Sequence, residues 1–200
     1  ARWRGEADWL VVSTHWGSMY VDYPHPRVLA TARALADAGA DVVLGHHPHV
    51  MQGAERLGRT LVLYSLGDGV FNSHAGDFHA TVADAVRPLS GVFTATLASG
   101  AHGLALAPHV LDPDGFAAPA DAATATRIVE RVRALSAGLA QGGVRFAAES
   151  APTLLRYELE GIGHYLRQGR LDKIARVLLS VRPRHAPLLW QAITRPRKAS

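Results

Sequence analysis

Apolar residues along this chain switch between two periods, and the switches mark out its elements. Asp8 to Thr14 (DWLVVST) is a continuous run rich in β-branched residues, the pattern of a strand buried on both faces. Val28, Leu29, Ala32, Leu35 and Ala36 then fall on one helical face, with Pro26 suited to the first turn and Gly39 placed to end the helix. Asp41 to Gly45 (DVVLG) is a second short buried strand. Strand, helix and strand make a β-α-β unit, whose default is parallel pairing through a right-handed crossover. Leu61 to Leu66 (LVLYSL) predicts a third strand. Gly91 to Ala98 and Gly103 to Val110 predict a hairpin joined across Ser99-Gly100-Ala101-His102. The polar, His-bearing stretch from Asn72 to Leu89 is long enough to be a functional loop. Ala120 to Gln141 predicts a helix ended by Gly142-Gly143. Beyond it, Leu155, Leu159, Ile162 and Leu166 keep a 3.6 period, as do Leu171, Ile174 and Leu178. Residues 151–194 are therefore expected to be helical, with the first of these stripes buried, the arginines outside, and no part in any site formed at the front.

Charge divides the chain in the same place. Residues 1–150 carry 11 basic and 14 acidic side chains, a balance of −3, whereas residues 151–200 carry 10 basic and 3 acidic, a balance of +7. The basic character belongs to the tail. No stretch approaches the roughly 20 apolar residues of a membrane helix, and the sequence opens without Met or an apolar leader, reading as the interior of a longer gene product. With no cysteine, disulfides and thiolate metal sites are excluded, so a metal would need imidazole, carboxylate, amide or water.

Histidine is where the chemistry concentrates. Of 11 histidines, three lie in Gly45-His46-His47-Pro48-His49, directly after a predicted strand. A fourth, His15, ends the strand before it, in Ser-Thr-His-Trp-Gly. In open α/β sheets ligands bind at the carboxyl ends of parallel strands, and one crossover brings both motifs to the same rim. Several imidazoles converging there suit Zn, Fe, Ni or Mn. His25, His74, His79, His102, His109, His164 and His185 stand alone and read as surface or satisfied core residues.

The runs VVSTHWGSMY, DAGADVVLGHHPHV and LYSLGDGVF resemble the signature stretches of the bacterial capsule and poly-γ-glutamate synthesis branch of the calcineurin-like metallophosphatases, which read roughly HWGxEY, GADxVIGHHPHxxQ and YSLGNFVF. The likeness extends over about residues 8–141. It implies an α/β fold: the C-terminal part of a calcineurin-like metallophosphoesterase sandwich over residues 1–143, followed by a basic helical extension over 144–200. It also implies two divalent metal ions (Mn, Zn or Fe) that bridge a phosphate-like oxyanion and activate water. By motif, His15 matches a histidine from one strand end and His47 and His49 match a His-x-His pair from the next. His46 stands in reserve, because the loop has one extra residue after Gly45. His15 and His47 are the implied catalytic residues. Trp16, Gly17 and Asp68 are placed on the substrate side, Trp16 as a pocket wall.

Three departures qualify what the resemblance implies. Met19 replaces the usual Glu, and Asp68-Gly69 replaces Asn-Phe. The first half of the fold, with its metal-bridging carboxylates, has no counterpart before His15, since Glu6 and Asp8 lie at the wrong end of their strand. The leading reading is a phosphoesterase-like hydrolase of cell-envelope polymer biosynthesis, acting on an anionic polymer or a phosphate-type small substrate. The alternative is a non-catalytic accessory protein that keeps only the fold. The basic tail fits contact with an anionic membrane surface. It has few aromatics and no nucleic-acid-binding module, so nucleic acid is disfavoured.

Overall fold

The strand after Leu10 and the strand after Asp41 run side by side in one direction, as the crossover demands. The computed structural model describes residues 5–69, 89–98, 102–112 and 116–180. In it β1 (Val11–His15) pairs parallel with β2 (Val42–His46), in register from Val11 opposite Val42 to His15 opposite His46. The intervening helix α1 (Pro26–Asp37) starts on a His25 side chain that accepts from Arg27 N at 3.0 Å, and it is followed by Gly39 at φ 94°. β3 (Ala54–Leu57) and β4 (Thr60–Leu63) form an antiparallel hairpin, and β4 also pairs parallel with β2, giving the order β1-β2-β4-β3. A second, antiparallel sheet contains β5 (Ser90–Thr96), β6 (Gly103–Leu111) and β7 (Ala117–Pro119). The helices that follow are α2 (Ala122–Gly138), a 3-10 turn (Leu139–Gln141), α3 (Gly142–Arg167) and α4 (Leu171–Ser180). This mixed α/β architecture with a helical tail is consistent with part of a calcineurin-like sandwich.

Side-chain alternation assigns the two faces of the first sheet. Val43, Val62 and Tyr64 meet Val28, Leu29 and Ala32 of α1 on one side. Val42, Leu61 and Leu63 face Phe93 on the other, and α2 adds Ile128 and Val132 against Met51 and Phe93. Each fully buried Val or Leu contributes about 1.5–3 kcal/mol, so β2 and β4, covered on both sides, are the anchor of the fold. Asp41 closes their lower end. Its Oδ2 accepts from Leu10 N at 2.8 Å and its Oδ1 from Arg59 at 2.6 Å.

The structure differs from the sequence expectation in several places. β1 is not buried on both faces: it lies at the edge of its sheet with alternate residues exposed, Val11 at 48%. The third strand is shorter than 61–66, and β3 and β7 have no clear sequence signal. Gly142-Gly143 does not end the helical region but starts α3. There a side chain at Gly142 would come within 3.2 Å of Leu29 Cδ1, so the missing Cβ lets α3 approach α1. Leu159 and Leu166, expected inside, are 58% and 57% exposed. The stretch 72–88, with His74 and His79, lies outside the described residues, as do the turn at 99–101 and everything beyond 180.

Candidate functional site

Two loops leave the carboxyl ends of β1 and β2 and are laced together. Trp16 N donates to His46 O at 3.1 Å, and Tyr20 N to Pro48 O at 2.8 Å. The buried Gln52 side chain donates to Val21 O at 2.7 Å. Farther along the β1–α1 loop, Arg131 of α2 reaches Asp22 at 2.6 Å, which gives that acid a structural partner away from the histidines. Lacing of this kind allows unusual backbone. Among the described residues three non-glycines have positive φ, and all three sit here: Tyr20 at 60°, His47 at 99° and His49 at 59°. Such conformations cost about 1–3 kcal/mol each, persist only where the surroundings hold them, and concentrate at functional sites.

Strand pairing and this strained backbone together bring three imidazoles onto one rim. The His15 and His47 rings lie 4.7 Å apart between centroids, and His47 and His49 lie 6.1 Å apart. His49 Nδ1 meets Asp68 Oδ1 at 2.9 Å, a contact that orients the ring as a carboxylate orients a metal-binding imidazole. Burial first, then the nearby His15 and His49, hold the His47 pKa below its ordinary value, so its ring is neutral near pH 7 and keeps a lone pair. His46, the cross-strand partner of His15, is half-buried at the end of β2.

The donor set suits a divalent ion in kind. Two imidazoles on one ion, with Zn–N bonds of ~2.0–2.1 Å, put their centroids roughly 5 Å apart, and the His15–His47 pair has that spacing. The third ring stands farther off, and among the described residues no group of three or more His, Asp or Glu is in a geometry that would hold an ion. His15, His47 and His49 form an open rim rather than a closed shell.

The residues expected on the substrate side have distinct surroundings. Trp16 donates from Nε1 to Tyr64 O at 2.9 Å and packs on the core cluster beside α1, crossing over Gly45. Any side chain at 45 would fall against Tyr64 O and Trp16 Nε1. Gly17 makes the turn after it at φ 91°, and Asp68 is occupied with His49. Met19, which stands where the resembled motif has Glu, lies in an apolar cluster with Tyr20, Val50 and Tyr157. Sequence reasoning singled out neither Tyr20 nor Tyr157. Tyr20 was legible as the last residue of the His-Trp-Gly run, whereas Tyr157 comes from a helix that carried no motif.

The fold and this rim define a class: an α/β protein with a histidine-lined rim at the carboxyl ends of parallel strands. Residues 1–73 match the family model described as bacterial capsule synthesis protein PGA_cap. The match stops well short of residue 141, where the motif likeness was expected to end. The segment is 49% identical over 69 residues to the capsule biosynthesis protein CapA of Bacillus anthracis, covering 34% of this chain and 17% of that protein. It is 48% identical over 66 residues to the PGA biosynthesis protein CapA of Bacillus subtilis (strain 168), covering 33% and 17%. The chain thus spans about a sixth of the length of the curated relatives it matches.

Proposed function

We propose that the front segment supplies the histidine side of a metal-dependent, phosphoesterase-like hydrolase site in a protein of cell-envelope polymer biosynthesis. The supporting observation is the convergence of His15, His47 and His49 on one rim, two of them on positive-φ backbone. His15 and His47 would be the inner ligands and His49 the outer one, aimed by Asp68. Bound Mn, Zn or Fe, as one or two ions, would polarise a phosphate-type oxygen and acidify a bound water. The chain's own residues hold His47 neutral and His49 oriented through Asp68, and the exposed rim admits a large anionic polymer as readily as a small phosphate ester. The placement of Met19 among apolar residues favours a second reading, an accessory protein that has kept the fold without the chemistry.

Calorimetry with Mn²⁺ and Zn²⁺ tests the site. The chain should bind, and the His15→Ala, His49→Ala double variant should lose that binding; equal binding by both overturns the proposal. Turnover of bis-p-nitrophenyl phosphate with Mn²⁺ separates the two readings. The expected rate is no faster than that of the double variant, since among the described residues the rim offers imidazoles without bridging carboxylates. Activity lost in the variant would instead show that these histidines suffice for catalysis.

A further inference from the structure

Helix α3 lies outside the family-matched residues, yet it reaches the histidine rim. The Tyr157 ring packs on the Tyr20 ring at 5.7 Å between centroids and 37° between planes. The other side of the contact runs on from Tyr20 to His49, at 6.0 Å and 35°. Tyr20 is 5% exposed and shares an apolar cluster with Val50, on which Met19 and Tyr157 pack. The same helix is fixed independently about three turns toward its start. Arg145 donates to Tyr23 Oη at 3.1 Å and lies over the Tyr23 ring, and Phe146 meets His25 edge-on. α3 is thus docked along the β1–α1 loop at Tyr20, Tyr23 and His25.

We infer that Tyr157 is a positioning residue for His49, acting through Tyr20. Tyr20 has positive φ, which a non-glycine keeps only when its surroundings over-determine it. Two of its restraints, the Pro48 carbonyl and the Gln52 clamp on Val21, come from the neighbouring loop that carries the histidines. They would move with that loop. The Tyr157 ring comes from elsewhere in the fold and touches Tyr20 itself, so it references this point of the loop to a rigid body. His49 has Asp68 on one ring nitrogen and the Tyr20 face beside it, and both are needed to fix the direction of the other nitrogen. An imidazole whose orientation is fixed in this way binds metal more tightly, because less rotational freedom is lost on binding.

The inference rests on the metal reading above, and the experiment keeps the two apart. The full chain is compared with Tyr157→Leu, which keeps bulk without a ring, and with Tyr157→Phe, which keeps the ring. In metal-free protein, the His49 imidazole carbon-bound proton signals should shift in Tyr157→Leu and stay close to their original positions in Tyr157→Phe, while those of His15 stay in place in both. Co²⁺ titration, followed in the visible bands of the bound ion, should show roughly tenfold weaker binding in Tyr157→Leu and recovery in Tyr157→Phe. Unmoved His49 signals in Tyr157→Leu, or a Tyr157→Phe protein that behaves like it, overturn the positioning role. Failure of the unmodified chain to bind Co²⁺ overturns the metal reading instead, whatever the His49 signals do.

Discussion

The imidazole rings of His15 and His47 stand 4.7 Å apart although each belongs to the end of a different strand. Parallel pairing in register, His15 opposite His46, brings the strand ends level. The reversal of the backbone at His47, φ 99°, then swings the next ring toward its neighbour. A regular extended continuation of β2 would send successive side chains to opposite faces of the sheet. The strain is what gathers them.

Asp68→Asn tests the orienting contact at His49. An amide in place of the carboxylate no longer favours one tautomer of the ring, and losses of outer partners of this type cost ~10–100-fold in metal affinity. Calorimetric Zn²⁺ affinity should fall within that range, with thermal stability nearly unchanged. Undiminished affinity would remove Asp68 from the site.

Gly45→Ala tests the crossing of Trp16 over β2. The new methyl group meets the Tyr64 carbonyl and the indole nitrogen together, so the strand or the indole must move. Overpacking of this kind costs about 1–3 kcal/mol, and the lost Trp16–Tyr64 hydrogen bond adds to it. A lower urea midpoint with an unchanged slope is expected; a midpoint equal to that of the unmodified chain would mean that the packing at Gly45 is loose.

Asp41→Ala separates stability from the site. The residue is fully buried at the opposite end of β2 from the histidines and accepts from Leu10 N and Arg59. Arg59 is largely exposed, so its ion pair contributes little. The part-buried Leu10 N–H, left without its carboxylate, dominates at about 1–3 kcal/mol. Urea unfolding should register that loss while Zn²⁺ affinity at the intact folded protein stays as it was. A change in affinity without a change in stability would contradict the assignment of Asp41 as a structural anchor.

The turn from α3 to α4 presents Leu166 and Leu171, 57% and 68% exposed, beside the exposed Arg167 and Arg170. This pairing of apolar and basic side chains is what an anionic lipid surface attracts. Replacing both leucines by Ser should weaken co-sedimentation with phosphatidylglycerol vesicles by about tenfold or more, since full burial of each Leu is worth ~1.5–3 kcal/mol. Unaltered sedimentation would dismiss membrane contact at this turn.

Much of the front was legible from residues alone, for identifiable physical reasons. The α1 boundaries follow from Pro26 and Gly39, whose φ preferences act locally whatever surrounds them. The β5–β6 hairpin follows from two apolar runs around a short polar turn. The meeting of His15 with the His46–His49 cluster follows from the parallel pairing of the two strands that one crossover joins. These signals are local or topological, and a sequence carries both.

Other features depended on neighbours distant in the chain. Whether β1 was covered on one face or two depended on what packed beside it, and its composition suits either case. Gly142-Gly143 reads as a stop because glycine weakens a helix by ~1 kcal/mol, but close contact with Leu29 outweighs that preference. The β-strand character of Ala54–Leu57 comes from pairing with β4. The contact from Tyr157 to Tyr20 joins a helix without motifs to the loop that carries them, and no local rule anticipates it. Sequence by itself determined which side chains the site could use, because chain direction and strand order place them. Tertiary structure decided how those side chains are aimed, because positive-φ backbone and ring packing are held only by contacts between segments far apart in the chain.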